Sequence, residues 1–201
     1  MKRTLYECME PTITSAFIPR SLDDPVREIQ DFDRVIQFYW ARIRRFILAS
    51  VRDRDAAETL TQDCFWSAYR SRLSFRGDST LHAWLMRIAI NSVRKHLRNR
   101  RLQFWRQVQH SAVSPAEIAD WLPDRRISPE GAALVQEHVR AVWSATADLS
   151  ERQKTVFLLR FMEDMNIHEI ANSTGLTESA VNVHLFRAVR AVRKRLGRNN
   201  E

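Results

Sequence analysis

Residues 167–198 read IHEIANSTGLTESAVNVHLFRAVRAVRKRLGR, a pattern that predicts two helices joined by a tight turn. Ala171 supplies a small residue where the two helices cross, Gly175 tolerates the positive φ of the turn, and Val181 points back into the core. Thr177 is positioned to cap the second helix. This spacing of small, flexible and apolar residues predicts a helix-turn-helix, a common reader of the DNA major groove.

The second of these helices is also strongly basic. No acidic residue follows Glu178 until Glu201, and the interval holds Arg187, Arg190, Arg193, Lys194, Arg195 and Arg198. A helix that starts polar and ends basic is typical of a major-groove reader. The alternative is a helical hairpin whose charges are simply solvated. The turn chemistry, the spacing and the charge agree with one another, which favours DNA binding.

The composition also points to a helical protein that binds nucleic acid. Hydrophobic residues make up 44% of the 201-residue chain, and only 4 Gly and 6 Pro argue against a β-rich fold. The formal net charge is +8, from 32 basic and 24 acidic residues. A second acid-free stretch, residues 79–116, contains Arg87, Arg94, Lys95, Arg98, Arg100, Arg101 and Arg106. Two separate basic stretches make nucleic acid the expected shared partner.

The cysteine content and the hydropathy pattern predict a cytoplasmic protein. Cys8 and Cys64 are the only cysteines, and they form neither a CxxC pair nor a disulfide framework, which fits a reducing compartment. No apolar run approaches the ~18 residues of a membrane span. Residues 1–17 lack the continuous apolar segment of a signal peptide.

No pattern of catalytic or metal-binding residues appears in the sequence. The six histidines are scattered, and there is no HExxH, Gly-rich phosphate loop or Ser/His/Asp set. A nuclease needs clustered acids beside its basic surface, and residues 79–116 contain none. We therefore expect a protein that is not an enzyme and takes no metal or cofactor.

The periodicity predicts an all-α fold with two small helical domains joined by a flexible linker, the C-terminal domain containing the helix-turn-helix. Residues 1–24 show little periodicity and are expected to form a mobile N-terminal extension. The first domain is predicted at residues 25–106 and the second at residues 131–201. Residues 107–130 lose periodicity and hold three prolines, which predicts the linker.

The apolar spacing predicts three helices in the first domain, at residues 31–51, 55–73 and about 79–105. Asp55 and Glu58 are expected to start the second of them as a capping-box-like pair. The second domain is predicted to contain four helices. Ser150 and Gln153 form the expected capping box of one of these helices.

Two long stretches resemble a known family. Residues 53–101 read DRDAAETLTQDCFWSAYRSRLSFRGDSTLHAWLMRIAINSVRKHLRNRR, and residues 149–196 read LSERQKTVFLLRFMEDMNIHEIANSTGLTESAVNVHLFRAVRAVRKRL. The first carries a helix like D-A-x-x-L-x-Q-x-x-F, an F-R-G-D-S loop, and A-W-L-x-R-I-A-x-N leading into a basic helix. Both stretches are similar to bacterial RNA polymerase sigma factors of the extracytoplasmic-function (ECF) group of the sigma-70 family. The resemblance implies that the two domains are sigma region 2 and sigma region 4.

The first domain offers the mixture that an opened DNA strand requires, namely basic groups for phosphates and aromatic groups for unstacked bases. The candidates are Phe75, Arg76, Asp78, Trp84, Asn91, Arg94, Lys95 and Arg98. The resemblance implies that loop 74–84 captures a flipped non-template base of the −10 element and that helix 87–101 engages its upstream edge. Trp84 lies on an apolar stripe, so a core anchor is its alternative role. Arg76 and Asp78 have less reason to pack and are stronger candidates.

The resemblance also places contacts to the −35 duplex on the second helix of the helix-turn-helix. The candidates are Thr177, Ser179, Asn182, Val183, Phe186, Arg187 and Arg190. Asn182 and Val183 depart from the family's commoner pattern, a basic residue followed by a small hydroxyl residue. Asn can read adenine and Val can touch a thymine methyl group. We therefore expect an upstream element that differs from the usual one of the group.

A contact surface for RNA polymerase is implied on helix 55–73, which in the family docks on the coiled coil of the polymerase β′ clamp. The candidates are Asp55, Glu58, Gln62, Asp63 and Arg70, and the alternative is an ordinary solvated face. Phe65, Trp66 and Tyr69 on the same helix form an aromatic face, and we expect most of it to pack in the core. The β subunit is a further implied partner.

As a whole, the resemblance implies a transcription initiation factor that binds core RNA polymerase, recognises −35 and −10 promoter DNA and assists promoter melting. It also implies an anti-sigma factor, often membrane-anchored, as a partner. The chain has no heptad seam, so we expect a monomer, with no insertion into a membrane. The alternative is a stand-alone helix-turn-helix transcriptional regulator that binds operator DNA, which leaves the first domain unexplained.

Overall fold

The structure is a computed structural model that describes residues 29–104 and 141–198. All regular secondary structure in these two ranges is helical, which confirms the predicted all-α class. The helices are α1 (Phe32–Val51), α2 (Arg54–Ser71), α3 (Leu81–Phe104), α4 (Glu151–Phe161), α5 (Ile167–Thr174) and α6 (Glu178–Arg198), with 3-10 turns at Arg72–Ser74 and Thr146–Asp148 and helical residues at 141–145. The expected extension 1–24 and linker 107–130 lie outside the described residues. None of the described helices is long and apolar enough to cross a membrane.

The first three helices begin close to the predicted positions, with one correction at the start of α2. Asp53 caps α2, because its side chain accepts a hydrogen bond from the backbone N–H of Ala56 at 3.0 Å. The expectation that Asp55 and Glu58 form this cap was wrong. Glu58 instead accepts a hydrogen bond from Arg44 Nε at 2.6 Å, which ties α2 to α1.

The helix ends of the C-terminal part follow the sequence closely. Ser150 and Gln153 form the predicted capping box at the start of α4. Gly175 ends α5 with φ of 71°, and its N–H donates to the carbonyl of Ala171 at 2.9 Å. Thr177 Oγ1 accepts a hydrogen bond from Ala180 N at 3.2 Å at the start of α6. The helix-turn-helix predicted from residues 167–198 is therefore confirmed.

Replacing Gly175 with alanine is expected to lower the free energy of unfolding by roughly 1–2 kcal/mol, because a β-carbon is disfavoured in the left-handed region. The cost is one of backbone conformation, since an added β-carbon at Gly175 meets no atom within 4 Å. Gly197→Ala is the matched control. Gly197 is helical and its β-carbon also meets nothing within 4 Å, so alanine should be neutral or slightly stabilising. Urea unfolding followed by circular dichroism tests the pair, and equal losses would contradict the assigned turn.

Most of the buried residues in the two described parts, residues 29–104 and 141–198, form one cluster that runs through both of them. A second, smaller cluster lies in the C-terminal part and contains Ala145, Leu149, Phe157, Ala188 and Val192. Helices α1, α2 and α3 pack on one another, α6 packs on α4 and α5, and contacts also join α3 to α5 and α1 to α4. Ile43, Phe46 and Leu85 from the first part belong to the same hydrophobic cluster as Leu159 and Ile170 from the second, and all five are 0% exposed. The boundaries of two domains at 25–106 and 131–201 stay a prediction. In this conformation the two parts share a core.

Candidate nucleic-acid interface

The face of α6 that the sequence assigns to duplex DNA is exposed along its length. Ser179, Asn182, Val183, Phe186, Arg187 and Arg190 are all exposed, and Thr177 caps the helix at its N-terminal end. The opposite face of α6 is buried, with Val181, Ala188 and Val192 at 0–2% exposure. The apolar spacing of that buried face therefore orients the predicted reading face outward.

Two apolar side chains on this reading face have no partner in the core. Phe186 is 67% exposed and Val183 is 47% exposed. Large apolar groups held in water on a basic helix indicate a contact surface, and the methyl group of thymine is one apolar target in the major groove. Arg187 and Arg190 flank these groups with exposed guanidinium side chains.

The loop before α3 exposes the two residues that the sequence favours. Arg76 and Asp78 are exposed on either side of Gly77, which has φ of 79°. Thr80 then caps α3 by accepting a hydrogen bond from Ala83 N at 3.1 Å. The loop thus lies between a turn with a positive φ, which glycine adopts without strain, and a capped helix start.

The aromatic candidates of this loop are placed differently from the charged ones. Phe75 is 7% exposed, and its ring centroid lies 5.2 Å from that of Trp84. Trp84 is partly buried and packs against the core, the alternative role considered for it. In this conformation the two rings pack against each other at the base of the loop, and they are less exposed than Arg76 and Asp78.

The candidate residues on helix α3 differ in their exposure to solvent. Asn91, Lys95 and Arg98 are exposed. Arg94 is half-buried and donates from NH1 to the carbonyl of Thr174 at 3.0 Å. Burial, followed by the charge of Arg152, lowers the pKa of Arg94. A predicted strand-binding residue is therefore engaged by the helix-turn-helix of the same chain.

The face of α2 assigned to RNA polymerase is mostly free for a partner. Asp55, Gln62, Asp63 and Arg70 are exposed, whereas Glu58 is paired with Arg44 as described above. The expectation that most of the aromatic face of this helix packs in the core was wrong, because two of its three residues are exposed. Phe65 is buried at 3%, but Trp66 is 63% exposed and Tyr69 is 41% exposed. Trp66 and Tyr69 stack at 6.2 Å on the surface instead.

Cys64 on the same helix is a buried core thiol. It is 0% exposed, and burial raises the pKa of its thiol to about 12. The thiolate, which is the nucleophilic form, is thus disfavoured.

Sequence reasoning missed a cluster of charged residues around Glu163. The side chain of Glu163 is fully buried in the connection between α4 and α5. Arg42 Nε donates to Glu163 Oε2 at 2.6 Å, His82 Nε2 lies 3.1 Å from the same oxygen, and Arg45 NH2 lies 3.8 Å from Oε1. The sequence signal was that three arginines, at positions 42, 44 and 45, lie largely off the apolar stripe of α1. By itself, this pattern is typical of an ordinary solvated face.

The fold and these exposed faces together define a class of protein: a helical DNA-binding protein with a helix-turn-helix and a separate basic helix. Comparison with known proteins narrows this class. The family profile described as Sigma-70 region 2 matches residues 33–103, and the profile described as Sigma-70, region 4 matches residues 140–192.

Sequence relatives agree with these profiles over most of the chain. The RNA polymerase sigma-H factor of Pseudomonas aeruginosa is 32% identical over 169 residues, which cover 82% of this chain and 86% of the relative. The ECF RNA polymerase sigma factor SigX of Bacillus subtilis is 25% identical over 171 residues, covering 83% and 84%. The chain therefore belongs to the sigma-70 family, in its extracytoplasmic-function group, and is a transcription initiation sigma factor.

Solved structures show the same fold. The sigma factor RpoE of Bartonella quintana, in complex with the anti-sigma factor NepR, aligns with a TM-score of 0.65 at 20% identity, covering 84% of this chain and 98% of that one. CnrH in complex with the cytosolic domain of CnrY aligns with a TM-score of 0.58 at 19% identity, covering 86% and 94%.

Proposed function

We propose that this sigma factor reads the −35 duplex with α6, holds the −10 non-template strand with loop 74–84 and α3, and docks on core RNA polymerase through α2. The observation that carries the proposal is the exposed reading face of α6, where Val183 and Phe186 stand in solvent beside Asn182 and Arg187. Side chains of this kind serve no purpose in packing at these positions.

On the upstream duplex, each type of side chain has a distinct role. Asn182 is suited to bidentate hydrogen bonds with adenine, Val183 to a thymine methyl group, and Arg187 to guanine. Arg190 lies one turn further along α6 and is suited to a phosphate, a contact that positions the helix without specifying sequence. The uncharged pair at 182 and 183 therefore selects the upstream element.

At the opened strand, Arg76 and Asp78 are the proposed contacts to a flipped base, while Lys95 and Arg98 contact phosphates along α3. All four side chains are exposed. Extruding a base costs a few kcal/mol of unstacking, and binding in the loop offsets this cost without ATP. Binding energy alone then assists melting, which is consistent with a protein that is not an enzyme and takes no cofactor.

The remaining partners follow from the family. Asp55, Gln62, Asp63 and Arg70 present an exposed polar face to the β′ clamp, with the β subunit as a further contact. An anti-sigma factor, which can be membrane-anchored, is a proposed regulator, because the sigma factor RpoE named above was solved in complex with the anti-sigma factor NepR. The chain is proposed to act as a monomer in the cytoplasm.

In vitro transcription with core polymerase tests the function directly, with start sites mapped across genomic DNA. We expect specific initiation only when both the chain and core polymerase are present, and weak promoter binding by the chain alone. Tight, specific operator binding without polymerase would instead support a stand-alone transcriptional regulator and contradict the proposal.

Replacing Arg187 with alanine is expected to weaken promoter use by ~1–3 kcal/mol, with a loss that depends on the upstream base pair it reads. Arg190→Ala is the matched control on the same helix, and it should weaken all upstream sequences by a similar factor. Transcription from a library of upstream elements measures both patterns. A uniform loss for Arg187→Ala would reassign that residue to a phosphate.

A further inference from the structure

We propose that Val183 and Phe186 read C5-methyl groups of pyrimidines in the upstream duplex, so that promoter choice responds to 5-methylcytosine as well as to thymine. We call these two residues the methyl-reading pair. The proposal rests on the role of α6 in reading the −35 duplex proposed above, and it names the chemical group that the centre of this face recognises.

The methyl-reading pair lies at the centre of the exposed face of α6. Successive residues of a helix turn by about 100°, which places Val183 and Phe186 roughly 60° apart and opposite the buried face of the helix. Asn182 and Arg187 lie on either side of the pair. Both members of the pair are in the first half of this 21-residue helix, the half that reaches base edges when a helix-turn-helix enters the major groove.

Packing within the chain does not account for the pair. Val183 is 47% exposed and Phe186 is 67% exposed, and neither belongs to the two hydrophobic clusters of the described residues. One exposed apolar side chain is ordinary on a protein surface. Here two of them adjoin, since residues three apart on a helix have β-carbons ~5–6 Å apart. Together they form a small apolar surface that gains free energy when a partner removes it from water.

The charge around the pair selects DNA as that partner. After Glu178, the helix has no acidic residue, and Arg187 and Arg190 are exposed beside the pair. Cations in this position attract phosphates and so bring the pair against the floor of the major groove. The C5-methyl group of thymine is the apolar group that base pairs present there.

An apolar pair reads the methyl group and ignores the polar group next to it. Thymine carries the acceptor O4 beside its methyl group, whereas cytosine carries the donor N4. The side chains of Val183 and Phe186 have no hydrogen-bonding group with which to distinguish the two. 5-Methylcytosine presents its methyl group at the same place in the groove as thymine does. The pair therefore accepts 5-methylcytosine in place of thymine, and methylation of a cytosine creates a site for it.

The spacing of the pair fits two methyl groups on adjacent base pairs. Base pairs stack ~3.4 Å apart, and the β-carbons of the pair are separated by ~5–6 Å on a helix that crosses the groove obliquely. Val183 is β-branched, so its side chain is already fixed on the helix and loses little freedom on binding. Burying one methyl-sized group changes an equilibrium by about 4-fold, and two independent groups give ~15-fold.

Base substitutions that change only the C5 group test the proposal. The templates carry an upstream element selected from a randomised library by the chain with core polymerase, with thymine, uracil, 5-methylcytosine or cytosine at one pyrimidine at a time. Thymine and uracil both pair with adenine, and the two cytosines both pair with guanine, so each comparison changes a single methyl group. We expect the methylated base to lower the half-maximal holoenzyme concentration by about 4-fold in both comparisons, at two adjacent positions. A ratio near 1 in either comparison at every position would overturn the proposal.

The variants Val183→Ser and Phe186→Ala assign the effect to the pair. Each should abolish the methyl dependence at one of the two positions and keep it at the other, and each should fold normally because both residues are exposed. Phe38→Ala is the matched control, since Phe38 is 44% exposed on α1, and it should keep the dependence at both positions. If the two α6 variants match Phe38→Ala in both ratios, other residues read the methyl groups and the proposal is wrong. Circular dichroism checks that all three variants are folded.

Failure of the proposed function gives a different result. If the wild-type chain and core polymerase do not initiate specifically on any template, the proposed function is wrong. If they initiate specifically but thymine and uracil templates are used equally, the role of α6 stands and only methyl reading is wrong. The pair would then be a surface for another partner.

Discussion

Replacing Leu85 with alanine is expected to lower the free energy of unfolding by about 2–5 kcal/mol. Leu85 lies on the buried face of α3 and is 0% exposed, so the change removes buried methyl groups and leaves a cavity. Since small domains have only ~5–15 kcal/mol of stability, this loss removes a large fraction of the free energy that keeps the protein folded. Urea denaturation followed by circular dichroism measures the change.

Leu73→Ala is the matched control, because it makes the same chemical change on the surface. Leu73 is 90% exposed after the end of α2, and its truncation should change the free energy of unfolding by no more than ~0.5 kcal/mol. Similar losses for the two leucines would contradict the placement of α3 against the core.

Replacing Arg76 or Asp78 with alanine is expected to reduce open-complex formation on duplex promoters. A good pair of side-chain hydrogen bonds to a base edge is worth ~1–3 kcal/mol, which corresponds to roughly 5- to 150-fold in the equilibrium. The defect should be smaller on a template whose −10 element is already unpaired, because the cost of unstacking has then been removed. Permanganate footprinting and transcription on the two templates measure the difference.

Arg34→Ala is the control for loss of an exposed arginine. Arg34 lies on α1 with a side chain that is 80% exposed, and it approaches Asp31 only at 3.9 Å. It should behave as wild type on both templates, because a surface ion pair of this kind is worth little. If the loop variants also transcribe at wild-type level from both templates, loop 74–84 does not hold the flipped base.

Much of the local structure could be read from the sequence, because it depends on neighbouring residues. Gly175 and Thr177 fixed the turn and the start of α6, and Ser150 and Gln153 fixed the start of α4, through contacts three or four residues apart. The error at the start of α2 arose because local sequence offered two possible caps. Asp53 and Asp55 are both acceptable caps, and the ion pair between Arg44 and Glu58 on neighbouring helices belongs to the arrangement with Asp53 as the cap.

The candidate site was predictable where exposure follows from helical periodicity. The apolar spacing of Val181, Ala188 and Val192 buries one face of α6 and so exposes the other. Periodicity was less informative for α2, where the aromatic side chains of Trp66 and Tyr69 suit either a core or a surface that awaits a partner. Which of the two occurs depends on how closely the neighbouring helices approach.

The sequence by itself determined the helices, their caps, the helix-turn-helix and the two basic surfaces, since each of these depends on residues close together in the chain. Only the tertiary structure decided how the two parts meet. The partners of Glu163 are 81 and 121 residues away in the hydrogen bonds to His82 and Arg42, and Arg94 meets a carbonyl 80 residues away. No local pattern encodes such pairings, because they arise from the packing of whole helices. Here that packing brings α5, the first helix of the helix-turn-helix, against α3, the helix proposed to hold the opened strand.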